Sequence, residues 1–188
     1  MRLRIAISLV AVAAACAACS ESTAGQATSS PTLPNATTTS VAPPTTTDSG
    51  MKGKTDFSQD ELCELLSSAE ATQLGGSEEG EPSMNVETKK PICTWTAANS
   101  LILGFRDDGV VADLKTGPGI TKTQIRIGNT PGVQSDDKTS GGFCQVGFDL
   151  NDHSNLIAGV SVLTGGQGKY DRCKVAKEMA AIVLSKVK

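Results

Sequence analysis

Four cysteines, Cys63, Cys93, Cys144 and Cys173, are spread through the last two-thirds of the chain, and each falls on an inferred core face. In an exported protein an even number of separated cysteines forms a disulfide framework, and a framework restricts the folds that can close around it. Three pairings of four cysteines are possible. Cys63–Cys93 with Cys144–Cys173 is favoured, because each bond then joins a helix to a strand and closes a loop of about thirty residues. Such a closure stabilises by about 3–4 kcal/mol in the chain-entropy account. Cys63–Cys173 with Cys93–Cys144 stays open, since spacing alone does not exclude it. A zinc site would need clustered ligands, and the chain has no C-x-x-C and a single histidine.

The N-terminus supplies the reason to expect export. Arg2 and Arg4 precede an apolar stretch from Ile5 to Ala15, interrupted only by Ser8. At about eleven residues it is too short to span a bilayer, which takes about twenty, but suits a signal peptide. The small residues Ala17-Ala18 before Cys19 make a junction for cleavage and acylation, and Ala14-Ala15 before Cys16 make a second. Cys19 is favoured as the lipid attachment site because polar sequence follows it at once; Cys16 is the alternative. The place three before the cysteine, usually Leu, holds Cys16 or Ala13. An ordinary cleaved signal releasing a soluble protein is the competing reading. Residues 1–18 are thus expected as signal peptide, and the mature protein as anchored at the extracytoplasmic face of the cell membrane.

Residues 19–55 read as a tether. Thr37-Thr38-Thr39, Pro43-Pro44 and Thr45-Thr46-Thr47 typify a stretch with no aromatic residue and no apolar periodicity. Such a segment does not bury enough surface to offset its ordering entropy. As a coil it reaches about 30–35 Å root-mean-square. Asn35-Ala36-Thr37 matches a glycosylation sequon, a three-residue match with a high chance rate. Loss of Arg2 and Arg4 leaves fifteen basic against twenty acidic residues, a balance opposed to a nucleic-acid partner.

Residues 56–188 read as one globular domain. Ser58-Gln59-Asp60-Glu61 and Ser67-Ser68-Ala69-Glu70 are capping boxes opening two helices, the first with Leu62, Cys63, Leu65 and Leu66 toward the core, the second ending at Gly75-Gly76. Gly75 to Glu87 reads as an exposed acidic loop. Strands are expected over 92–97, 101–106, 110–114, 123–127, 144–150 and 156–163. Gly128 to Gly142 reads as a polar loop. Tyr170 to Val187 places Cys173, Ala176, Ala180, Val183 and Val187 on one helical stripe. The expected class is α+β: an antiparallel sheet with N-terminal helices and a C-terminal helix packed on it, cross-linked twice.

The run Leu62-Cys63-Glu64-Leu65-Leu66-Ser67-Ser68-Ala69-Glu70, the Cys93-Thr94-Trp95 triplet, Cys144 in a strand, and Cys173 followed by Ala176, Ala180 and Val183 resemble a known group. They are similar to the short actinobacterial lipoproteins of the domain of unknown function thirty-five fifty-eight. Glu61-Leu62 stands here in place of an acidic-Pro pair. The resemblance implies an envelope lipoprotein with no assigned activity, and it supplies no catalytic residues.

Chemistry is hard to find in the sequence. His153 lies beside Asp152 and Ser154 in one predicted turn, where neighbours do not reach nucleophile–base–orienter geometry. Gly165-Gly166-Gln167-Gly168-Lys169 lacks the P-loop glycine at Leu163 and the Ser/Thr at Tyr170, leaving at most a backbone anion site at a helix start. Asp107-Asp108 and Asp136-Asp137 are adjacent pairs in turns, unsuited to acid–base partnership, and no EF-hand spacing supports calcium. Trp95 is expected to pack on the Cys93 disulfide rather than line a groove. The sequence therefore predicts no enzyme, no catalytic residues, no metal and no cofactor. It predicts a surface-displayed binding or interaction module, with an unknown envelope protein or ligand as partner. A carrier of a lipid or small apolar ligand, with its cavity between sheet and helices, is the alternative, and a hydrolase comes third.

Overall fold

The computed structural model describes residues 51–188 apart from Lys115 and Ser140. The expected signal peptide 1–18, the acylation candidates Cys16 and Cys19, and the expected tether as far as residue 50 lie outside the described residues. The chain engages the domain from Met51, which is buried, and the Gly53 N–H donates to the Val187 carbonyl at 2.9 Å. Folded contacts thus begin ahead of the Asp56 boundary suggested by composition.

Two short helices follow, α1 (Gln59–Glu64) and α2 (Ser68–Gln73). Each opens on the expected reciprocal box: Ser58 with Glu61, then Ser67 with Glu70, serine hydroxyl accepting the third N–H and glutamate accepting the serine N–H. Six-residue helices are not self-supporting. They persist because Leu62, Leu65, Leu66, Ala71 and Leu74 are buried on one side. α2 stops where Gly75 turns to φ +83, and a Cβ there would sit 2.7 Å from the Asn99 amide nitrogen.

Both box glutamates carry lysine partners. Hydrogen bonding to Lys54, then to the Ser58 N–H and hydroxyl, lowers Glu61 to about 2 from an ordinary 4.5. For Glu70, burial pushes upward, but Lys186 and Ser67 outweigh it and the net shift is downward. A depressed folded value stabilises fully above the unfolded pKa and is lost as the pH falls through the folded one. Acid is therefore expected to weaken the domain between pH 4.5 and 2 through Glu61. Because Glu61 is half-buried, with its side chain 33% exposed and screened by solvent, the Glu61→Gln variant should differ by only about 0.5 kcal/mol, read from urea midpoints across that range. A pH-independent difference would contradict this account.

Among the described residues, seven strands form one antiparallel sheet: β1 (Glu81–Met84), β2 (Pro91–Thr96), β3 (Asn99–Arg106), β4 (Ile120–Ile127), β5 (Thr130–Asp137), β6 (Phe143–Asp149) and β7 (Asn155–Val162), in spatial order β1-β2-β3-β7-β6-β5-β4. Two meanders, β1–β3 and β4–β7, meet where β3 pairs with β7 over eight residue pairs from Asn99↔Val162 to Arg106↔Asn155. The terminal helix α3 (Arg172–Val187) packs on β6 and β7, and α1 on β2. Between them and the sheet lies the core, with Trp95, Phe148, Leu101, Leu103, Leu156 and Met179 all under 2% exposed.

Three expectations change. β1 occupies part of the acidic loop, as a four-residue edge strand with every side chain exposed, so it left no burial pattern to read. β5 occupies most of the polar loop 128–142; its ladders to β4 and β6 hold it, and Val133 is its one aliphatic side chain. The segment 110–114 is not a strand but a single 3-10 turn, Val111–Asp113. Val111 and Leu114, three apart, face inward, a spacing a short strand does not give.

Disulfides join Cys63 of α1 to Cys93 of β2 and Cys144 of β6 to Cys173 of α3, with Cα–Cα separations of 5.2 Å in each. The strand cysteines Cys93 and Cys144 are fully buried, whereas Cys63 and Cys173 are half-buried at the helix surfaces.

Candidate binding groove

Strand alternation sends Cys93, Leu101, Leu103, Ala158 and Val160 toward the helices, so Ile92, Ile102, Gly104, Ile157 and Gly159 face the other way. No helix among the described residues covers that second face. Part of it is roofed by the β3–β4 connection, where Val111 and Leu114 pack with Val133 and Ile157. The rest is a groove of about 480 Å³. Ile92, Ile102, Ile157 and the Phe143 ring give it an apolar floor. Glycine makes the floor low: Gly104 carries no side chain at its centre, and a Cβ on Gly159 would overlap the Phe143 ring.

Two walls stand over this floor. One is the β1–β2 turn, where the Asn85 side-chain oxygen accepts the N–H groups of Glu87 and Thr88 at 2.9 Å and Lys89 adopts φ 56. The other is the segment after β3. It is tied down because Asn155 donates to the Gly109 carbonyl at 2.7 Å and Asp149 accepts the Val111 N–H at 2.7 Å. Lys90 pairs with Asp107 between the walls, and Arg106 with Asp108 at 2.9 Å. The Arg106 hydrogen bond holds Asp108 below the ordinary carboxylate range. The groove therefore has an apolar base and a polar rim of both signs. An arrangement of this kind can hold a ligand by burial and orient it by the rim.

The residues weighed from sequence fall elsewhere or into structural roles. His153 is exposed in the β6–β7 turn; its carbonyl accepts the Gly109 N–H, and the Asn151 side chain accepts the N–H groups of His153 and Ser154. The glycine-rich run 165–169 begins within a 3-10 turn, Thr164–Gly166. Asp171 caps α3 by accepting the Lys174 N–H at 2.9 Å, so the protein's own carboxylate occupies the anion position considered there. Asp107 and Asp108 each face a different cation on the groove rim. Asp136 pairs with Arg172 at 2.9 Å, and Asp137 accepts from the Thr139 N–H and hydroxyl, which lower its pKa. Asp136, Cys144 and Cys173 bring potential ligand atoms within 4.8 Å of one another, but the two sulfurs are bonded to each other and the carboxylate to Arg172. Trp95 is 1% exposed, in the core and away from the groove.

The groove residues carried one overlooked sequence signal. Leu101-Ile102-Leu103 and Leu156-Ile157-Ala158 are continuous apolar runs rather than alternations. Runs of that kind mark strands with apolar surface on both faces.

A family described as a protein of unknown function (DUF3558) matches residues 14–186. No curated protein and no solved structure matches the chain.

Proposed function

Because the chain belongs to the DUF3558 family of proteins of unknown function, we infer its role from its own residues: an envelope lipoprotein, anchored through Cys19, whose domain binds a partner in the open-face groove without transforming it. The observation that carries this reading is the groove itself, an apolar floor of about 480 Å³ within a cross-linked sheet, between two walls held by side-chain to backbone hydrogen bonds. Its volume falls within the range of small-ligand sites. The N-terminal basic head, short apolar stretch and Ala-Ala-Cys junction support the anchor.

The carrier reading moves with the groove. The space between sheet and helices is filled by Trp95, Phe148 and Met179, so an apolar ligand would lie against Ile92, Ile102 and Ile157 instead.

A photo-reactive phenylalanine analogue placed at Ile102 tests both readings on intact cells. Illumination is expected to give one dominant adduct in the membrane fraction, from material carrying acyl mass on Cys19. The same analogue at exposed Leu163, outside the groove lining, should give none. A protein adduct supports the interaction module, and a small-molecule adduct supports the carrier. Equal labelling from both positions, or none from Ile102, removes the groove from the account.

A further inference from the structure

The two edges of the sheet are unlike. At one, β1 is four residues long and contains Pro82. The Asn85 N–H bonds back to the Lys90 carbonyl, and alternation from there turns Pro82 and Met84 outward. Proline offers no N–H, so this edge is blunted. At the other edge, β4 is eight residues long, has no proline or glycine, and pairs with β5 without interruption. Five of its residues, Ile120, Thr121, Thr123, Ile125 and Ile127, are β-branched. Its outward set follows from the ladder. Ile127 and Thr130 close the two-residue Gly128–Asn129 turn, and Lys138 donates to Gly119 at the far end. The odd-numbered residues therefore bond to β5, and Lys122, Gln124 and Arg126 direct their backbone N–H and C=O groups to the free side.

Charged side chains commonly guard such an edge. Here both cations are turned onto their own chain: Lys122 donates to the Ala112 and Leu114 carbonyls, and Arg126 to the Asn129 carbonyl at 2.6 Å. Beside the edge, between Arg126–Gly128 and the Lys177–Ala181 side of α3, lies a hollow of about 230 Å³, so the helix does not crowd the approach.

We propose that β4 pairs antiparallel with β4 of a second copy of this chain, with Thr123 on the two-fold axis. Charge excludes the centres Lys122 and Gln124, and of the odd-numbered centres Thr123 aligns the longest stretch of β4, residues 120–126. A two-fold normal to the sheet keeps the helix face of both copies on one side, so residues of like parity stand opposite. Centring on Lys122 opposes two lysines, and centring on Gln124 opposes Lys122 to Arg126; like charges directly opposite are destabilising. Centring on Thr123 opposes Lys122 to Gln124, Thr121 to Ile125 and Ile120 to Arg126. It also puts two threonines, a favourable cross-strand pair, in the closely spaced non-hydrogen-bonded position.

Cysteine trapping in the full chain tests both the partner and the register. Thr121, Thr123 and Gln124 are all exposed. Under mild oxidation of membranes, Thr123→Cys is expected to become a covalent dimer, because only residue 123 meets its own counterpart at disulfide distance. Thr121→Cys and Gln124→Cys should stay monomeric. Gln124→Pro removes an outward N–H without touching the β5 ladder, so it should keep the thermal midpoint of the wild-type chain diluted to monomer yet raise the dimer dissociation constant at least about tenfold by light scattering. Trapping of Thr123→Cys no faster than Thr121→Cys overturns the proposal, as does preferential trapping of Gln124→Cys. A wild-type mass that is monomeric across the dilution series overturns it too.

Discussion

Replacing Cys144 and Cys173 together by alanine is expected to lower the unfolding free energy by about 3–4 kcal/mol. The bond closes a loop with a sequence separation of 29 residues, and opening it returns that freedom to the unfolded chain. A second contribution comes from the folded state: Cys144 is fully buried, so its sulfur leaves a void between β6 and α3. The neighbouring half-buried Arg172–Asp136 pair, at 2.9 Å, does not depend on the sulfurs. Urea unfolding of the double variant should show a midpoint well below wild type and a somewhat steeper slope, because the opened unfolded chain exposes more surface. A loss below about 1 kcal/mol would mean that closure does not restrain the unfolded chain as the entropy account requires.

Trp95→Ala should cost about 3–5 kcal/mol, the range for deleting a large buried aromatic side chain. The indole is 1% exposed and lies under the loop that leads into β1. A Cβ on Gly80 would stand 2.5 Å from the Cys93 sulfur and 2.8 Å from the indole nitrogen, and one on Gly76 would stand 2.9 Å from the Trp95 Cβ. Backbone without side chains therefore rests directly on ring and disulfide, and truncating the ring leaves that loop unsupported. The loss should appear in the urea midpoint. Hydrogen exchange should place it around residues 76–96 rather than around β4 and β5. A uniform loss of protection would show that Trp95 supports the whole sheet rather than its first meander.

Legibility followed burial on one side. Both capping boxes, the helix stripe from Ala176 to Val187 and the alternation of Cys144, Val146 and Phe148 wrote themselves into the sequence, because each element buries a single periodic face. β5 left no such record. Its buried residues include Gly132 and Ser135, and its place between β4 and β6 is held by backbone ladders that any side chain permits. Ser58 and Ser67 could be named as caps from their spacing alone. The groove could not be named, because its floor draws on β2, β3, β6 and β7, and only the register brings Ile92, Gly104 and Ile157 into one row. His153 and the aspartate pairs attracted notice for their chemistry, but their positions serve turns and ion pairs.

Each cross-link encloses one stretch of polypeptide, residues 63–93 and residues 144–173. A pull on the described domain from its two ends can pay out only 51–62, 94–143 and 174–188, since the sewn stretches transmit load through sulfur. β3, β4 and β5 all lie in the longest slack segment. Tension would therefore draw β3 from the middle of the sheet and β4 and β5 from its far edge while leaving α1 stitched to β2 and α3 to β6, two preserved folding seeds from which the stripped strands could be reeled back.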